Sequence, residues 1–278
     1  MRVTIFGASG LLGHALIRAW SGDEITGLNS RDADIRNPDE VGNAVERTRP
    51  EWIVLAAAYT DVDGCESHQD LAVSVNRDGA VNVARAAKRT GSRLLFLSSD
   101  YVFDGTKASP YEIDDQRNPQ SAYGRTKAEA EVRLLEVLPE CCIVRTSWLF
   151  GTGGKCFPDT IMKLAASRPA LDVVDDQRGC PTYSPDLAHA IIQLCRKGAS
   201  GIVHVTNAGA CSWFDFAREI VKQAGFATDV HPVSSHQMAR PAPRPAYSVL
   251  SAESLQRYGI EMPAWQDALR KYMEERHA

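Results

Sequence analysis

Tyr123 and Lys127 stand four residues apart in the stretch SAYGRTK, residues 121–127. On a helix that spacing puts both side chains on one face, a turn apart. A free tyrosine, with a pKa of about 10, is a sluggish proton donor at neutral pH. A neighbouring cation favours its phenolate and makes it a better acid. The spacing does not establish this chemistry by itself. With eight Tyr and eight Lys in 278 residues, a Tyr-x-x-x-Lys match is expected about 0.2 times by chance. Two solvated side chains on an exposed turn are the alternative, so the pair needs a context.

Part of that context is FGASGLLG, which sets Gly7, Gly10 and Gly13 between an apolar run and a stretch with helical spacing. A strand that must turn tightly and bring its backbone against a pyrophosphate needs glycine there, with helix N–H groups aimed at the anion. The first gap is one residue longer than in the G-x-G-x-x-G pattern. The end of the second strand then bears on the cofactor. An NAD site usually carries an acid about 20 residues beyond the glycines. Here the chain reads Asn29, Ser30, Arg31. Arg31 offers a fork of donors to a 2′-phosphate, which favours NADPH, while Asp32 keeps NADH open.

The elements that must hold these residues are legible as an alternation. RVTIFG, EITGL, WIVLAAA, RLLFLSS and CCIVRTSWLFG read as five strands. Helical stretches at Leu11–Trp20, Pro38–Arg49, Leu71–Thr90 and Tyr123–Leu138 separate them. Continuous apolar strands alternating with helices predict an α/β fold, a parallel sheet covered on both faces. After Gly151 the rhythm changes to helices near 157–167 and 186–197, a strand in GIVHVTN, a helix capped by Ser212, the irregular RPAPRP and a last helix from Pro263. Residues 1–150 therefore read as a dinucleotide-binding domain and 151–278 as a smaller lobe, with segments near 184–207 returning to the first.

Composition excludes other classes. Hydrophobic residues are 44%, charged residues 24% and the net charge −4, which disfavours a dedicated nucleic-acid binder. No apolar run approaches the roughly 20 residues of a membrane span. A strand opens the chain at once, so no signal peptide is expected and the location reads as cytoplasmic. Seven Cys without C-x-x-C spacing read as reduced, buried thiols. The seven His form no His-x-x-x-His pair, and the histidines, His14 among them, read as structural.

The glycine loop, SSDYVFDG (98–105) and YGRTK (123–127) resemble an extended short-chain dehydrogenase/reductase. AAAYTDVDGCE (56–66), RTSWLFG (145–151) and SWFDFA (212–217) are similar to the dTDP-4-dehydrorhamnose reductases, enzymes of nucleotide-sugar biosynthesis. The likeness runs from residue 1 to about 217, with a weaker echo in RPAYS, 244–248. It implies a Rossmann-like doubly wound sheet with a smaller C-terminal substrate lobe. The activity implied is reduction of the C4 ketone of a nucleotide-linked 6-deoxyhexose by NADPH or NADH. Ser99, Tyr123 and Lys127 would be its catalytic three, with Ser99 emerging at the C-terminal edge of the sheet to hydrogen-bond the carbonyl. Leu11 and Leu12 would lie along the pyrophosphate, and Asp34 and Ile35 would flank the adenine. Ala58, Tyr59 and Thr60 would touch ribose and phosphates, and Lys127 would also hold the nicotinamide ribose. Ser99, Asp100 and Trp148 would meet the sugar, and Arg244 the substrate diphosphate.

The resemblance leaves other functions to weigh. A non-catalytic NADP-binding subunit like that of methionine adenosyltransferase shares the family. A related sugar-nucleotide 4-ketoreductase or an epimerase is a further reading, whereas a 4,6-dehydratase usually has Asp-Glu where Asp100 is followed by Tyr101. Some relatives carry carboxylates in the first helix for a divalent ion at a dimer interface. GHALIRAW has none, so no metal is expected, while a homodimer stays open. Val249 stands where a second Arg is common in the family.

Overall fold

A computed structural model describes residues 1–277. The chain opens with β1 (Arg2–Phe6), α1 (Leu11–Ala19), β2 (Glu24–Leu28), α2 (Pro38–Thr48) and β3 (Trp52–Leu55). Next come α3 (Val62–Ser67), α4 (Gln69–Val73), α5 (Ala80–Thr90), β4 (Arg93–Ser99), α6 (Ala122–Val137) and β5 (Cys142–Thr146). Beyond these lie β6 (Leu149–Phe150), α7 (Phe157–Ala165), β7 (Ala170–Val174), β8 (Arg178–Gly179), β9 (Thr182–Tyr183), α8 (Ser184–Arg196) and β10 (Gly201–His204). The last are β11 (Cys211–Ser212), α9 (Trp213–Gln223), β12 (Asp229–Val233), α10 (Glu253–Gln256) and α11 (Trp265–His277).

Six strands form one parallel sheet in the order β10-β5-β4-β3-β1-β2. The chain steps from β1 to β2 on one side and then to β3 on the other. The strand order therefore reverses at β1, and the crevice beyond its C-terminal end is where such sheets bind ligands. All four β3 residues are buried. Trp52 and Val54 pack into the layer under α1 and α8, and Ile53 and Leu55 into the layer under α2, α5 and α6. Each such aliphatic side chain contributes about 1.5–3 kcal/mol of burial. The segment around 184–207 adds its strand β10 to the edge beside β5, with α8 against α1. A separate core gathers Phe150, Phe216, Trp265, Leu269 and Tyr272, and β7 pairs with β12 beside it.

Local signals set the helix ends. Asn37 caps α2 by accepting from the amides of Asp39 and Glu40, with Pro38 behind it. Ser121 caps α6 through the Gly124 amide at 3.1 Å. Gly91 ends α5 in the left-handed region, φ 70°.

Two expectations are corrected. The stretch expected as one α-helix from Leu71 to Thr90 is helical, but Ser74–Gly79 is wound as a π-helix. That wide turn carries the buried Asn76. The single strand expected over CCIVRTSWLFG breaks at Trp148, which has φ 45°, dividing β5 from β6. Left-handed backbone at a bulky residue costs of order 1–3 kcal/mol and is held only by its surroundings. Here the indole stacks on Trp213 with centroids 3.5 Å apart and planes 8° from parallel.

Among the described residues no helix is long and apolar enough to cross a membrane. All seven Cys are unpaired and buried.

Candidate active site

At the end of β1 the chain turns through Gly7, φ 91°, and the Gly7 and Ala8 amides donate to Leu28 O at 2.9 and 3.0 Å. A Cβ on Gly7 would come within 2.5 Å of the Ala57 amide nitrogen, and one on Gly13 would run into Gly7 O. These two glycines pack the turn against β3 and α1. Gly10 differs: a Cβ there meets nothing nearer than Gly7 O at 3.3 Å, so it would otherwise stand in open cavity. The first turn of α1 has neither a side-chain cap nor an acid. Its first N–H groups, at Leu11, Leu12 and Gly13, are left for an anion. The donor set and the bare backbone fit a pyrophosphate.

This turn floors a cavity of ≈ 710 Å³. Gly7, Gly10, Leu11, Leu12 and Gly13 line one end, with Ser30, Asp34 and Ile35 beyond them and Ala58 and Thr60 along the side. Ser99, Asp100, Tyr123, Lys127 and Trp148 line the other end. Three expected residues are not on the wall. Arg31 is exposed on the rim next to Ser30. The Tyr59 backbone is instead clamped by Asn76, which accepts from its amide at 2.8 Å and donates to its carbonyl at 3.1 Å. The Arg244 guanidinium, expected at the substrate diphosphate, is captured by the Asp63 carboxylate at 2.5 and 3.0 Å and donates to Ala242 O at 2.6 Å.

Ser99 ends β4 and is buried. Its hydroxyl donates to Asp100 Oδ1 at 2.9 Å and accepts from the Tyr101 amide at 3.2 Å. Asp100 is 1% exposed, and its Oδ2 has no hydrogen-bond partner among the described residues. Burial pushes this carboxyl up to about 6, against the nearby hydroxyls of Ser248 and Ser99, which act to lower it. Tyr123 follows Ser121 in the first turn of α6, and the Tyr101 and Tyr123 rings meet edge to face at 5.7 Å. Lys127 is 2% exposed, its ammonium 4.2 Å over the Phe96 ring.

The expected effect of Lys127 on Tyr123 is not what the protein alone displays. Burial raises the Tyr123 phenol above its usual value and the Asp100 charge adds to this, while a hydrogen bond with Ser99 opposes them. Burial also pushes Lys127 down to about 7, with the Glu131 charge acting the other way. Desolvation dominates both groups.

Sequence reasoning missed Asn76, which supports the cavity wall from behind, and several residues of the wall itself. Asn76 ties the Tyr59 backbone to Thr126 Oγ1 at 3.1 Å. An amide on the inner face of a helical pattern was the signal. Tyr101 and Lys155 line the cavity, as does Arg36, whose guanidinium chelates Asp34 at 2.5–3.0 Å. Among the described residues no group of three or more His, Cys, Asp or Glu is gathered to hold a metal ion.

Fold and site together define the class: Rossmann-type oxidoreductases that set a serine, a tyrosine and a lysine at the C-terminal edge of the sheet, above a glycine turn. Within it the chain belongs to the RmlD family, whose model, described as RmlD substrate binding domain, matches residues 1–277. It is 40% identical over 278 residues to the dTDP-4-dehydrorhamnose reductase of Mycobacterium tuberculosis (strain ATCC 25618 / H37Rv), covering 96% of this chain and 91% of that protein. The solved dTDP-4-dehydrorhamnose reductase of Clostridium acetobutylicum ATCC 824 superposes with a TM-score of 0.98 at 37% identity, covering 100% of both chains. That of Bacillus anthracis str. Ames, solved in complex with NADP, has a TM-score of 0.96 at 38% identity and 99% coverage of each.

Proposed function

We propose that this chain reduces the C4 ketone of a nucleotide-linked 6-deoxyhexose with NADPH, turning dTDP-4-dehydro-L-rhamnose into dTDP-L-rhamnose. The observation that carries this reading is the meeting of Ser99, Tyr123 and Lys127 in the cavity that the glycine turn floors. Gly10 and the first amides of α1 hold the pyrophosphate, Asp34 and Ile35 flank the adenine, and Arg31 on the rim reads the 2′-phosphate. Bound NADPH supplies the hydride that reaches the carbonyl carbon.

The side chains account for the rest. As charge grows on the ketone oxygen, Tyr123 gives it a proton, and the resulting phenolate is stabilised by the Lys127 ammonium. Ser99 has one proton to donate, and in the structure it points to Asp100. It turns to the ketone as negative charge develops there, which is when a hydrogen bond is worth most. Trp148, fixed by its stack on Trp213, closes the sugar end.

A turnover screen with dTDP-4-dehydro-L-rhamnose and related 4-keto sugar nucleotides, using either nicotinamide, tests the reading. NADPH oxidation coupled to reduction of the dTDP-4-dehydro-L-rhamnose ketone is expected. Tight NADPH binding with no turnover of any keto sugar would refute it.

A further inference from the structure

Behind Lys127 lies a buried charge cluster. Glu131 follows one turn later on α6, and its side chain and that of Arg145 are both 0% exposed. Oε1 accepts from Arg145 Nε at 2.9 Å and Ser98 Oγ at 2.5 Å. Oε2 accepts from Arg145 Nη2 at 2.7 Å and Arg117 Nη1 at 3.0 Å. Each partner adjoins the site: Ser98 precedes Ser99 on β4, Arg145 precedes the cavity residue Thr146 on β5, and Arg117 comes from the loop leading into α6.

We infer that Glu131 is a positioning residue for the reduction, bolting the helix of Tyr123 and Lys127 to the ends of β4 and β5 and keeping Lys127 protonated by its charge. This rests on the reading of Lys127 as the cation that stabilises the phenolate. Among the described residues Lys127 makes no ion pair within 4.0 Å; its ammonium lies over the Phe96 ring, and the equally buried Glu131 stands one turn on along the same helix. Burial works against the ammonium, and Glu131 is the charge that opposes it. Burial would also raise the Glu131 carboxyl, but hydrogen bonds and charge from Arg145, with Ser98 and Arg117, outweigh it and hold it below the usual range. Glu131 is therefore ionised throughout the neutral range. His204 on β10 reaches Arg145 at 3.3 Å. Burial, then the Arg145 charge, pushes His204 down to about 3, so it adds no charge near pH 7.

A purely structural bolt and an electrostatic one differ in what they do to pH dependence. The test is the alkaline limb of kcat for reduction of dTDP-4-dehydro-L-rhamnose by NADPH. In Glu131→Gln its midpoint is expected to fall by about one pH unit, with KM for the sugar within about twofold. Glu131→Gln leaves Arg145 buried without its partner and is at risk of misfolding. The double variant Glu131→Gln/Arg145→Gln removes both charges and is expected to show a smaller fall in the same direction, because losing the Arg145 cation partly offsets losing the carboxylate. Arg117→Gln removes the peripheral cation, whose side chain is 29% exposed, and is expected to move the limb up by a fraction of a unit. A limb that stays put in every variant that folds, Arg117→Gln included, overturns the inference. No turnover by the unaltered protein would instead overturn the reading of the site.

Discussion

The Tyr123 ring meets the Tyr101 ring edge to face, with burial holding its proton on. On the proposed mechanism, removing its oxygen removes the reaction's acid and leaves the cavity wall otherwise intact. Tyr123→Phe is expected to lower kcat by about 10²–10⁴-fold, with the NADPH dissociation constant within about twofold by fluorescence titration. Arg31 faces solvent beside Ser30, so Arg31→Ala is expected to raise KM for NADPH several-fold and leave KM for NADH nearly unchanged. Equal effects on both would show that Arg31 does not read the 2′-phosphate. Asp100 carries its own signature. Its carboxyl is raised from 3.8 to about 6, so the folded chain holds a proton that the unfolded chain has already shed. The stability this gives is full below the unfolded value and is lost as pH rises through about 6. Asp100→Asn is therefore expected to be more stable than the parent at pH 7.5, by about 1–3 kcal/mol, and not at pH 3.5. Urea unfolding at both values measures it, and equal effects at both would contradict it. At this scale the strand-end position of Ser99 and the one-face spacing of Tyr123 and Lys127 on α6 could be read from the sequence. The electrostatic state could not, since desolvation depends on neighbours from several strands.

At the scale of elements, the π-wound turn at Ser74–Gly79 and the break at Trp148 are features that hydrophobic spacing does not reveal. Apolar period tolerates one extra residue per turn, so Leu71–Thr90 reads as an ordinary helix. RTSWLF likewise reads as continuous strand, because nothing in its residue types demands a left-handed backbone at Trp148. Asn76 makes the first of these consequential. Its amide bridges the backbone beside the cofactor wall to Thr126, one residue before Lys127. Asn76→Ala leaves the Tyr59 amide and carbonyl without partners, at a cost of about 1–3 kcal/mol. Reduced stability in urea together with weaker NADPH binding is the expected result. Lost stability with unchanged NADPH affinity would limit Asn76 to a structural role.

Across the whole molecule, strand–helix alternation made the parallel sheet legible, but the strand order, with its reversal at β1 above which the cavity opens, came only from the structure. Contacts between distant segments were beyond the alternation as well. The irregular stretch around RPAPRP crosses back to α3, where Asp63 holds Arg244 and accepts from the Ala242 amide at 3.1 Å. Charge and proline content marked this stretch as irregular but could not say what it would meet. Asp63→Ala is expected to speed hydrogen exchange at the Ala242 amide at least about tenfold while the β3 and β4 amides keep their protection. Loss of protection across the sheet would mean that the contact supports the fold as a whole. The decisive measurement concerns the centre of the cavity: turnover of dTDP-4-dehydro-L-rhamnose with NADPH by the unaltered chain and by Tyr123→Phe, side by side. Conversion to dTDP-L-rhamnose by the first, with a loss of orders of magnitude in the second at matched NADPH occupancy, is the expected result. Equal turnover by both, or none by either, would contradict it.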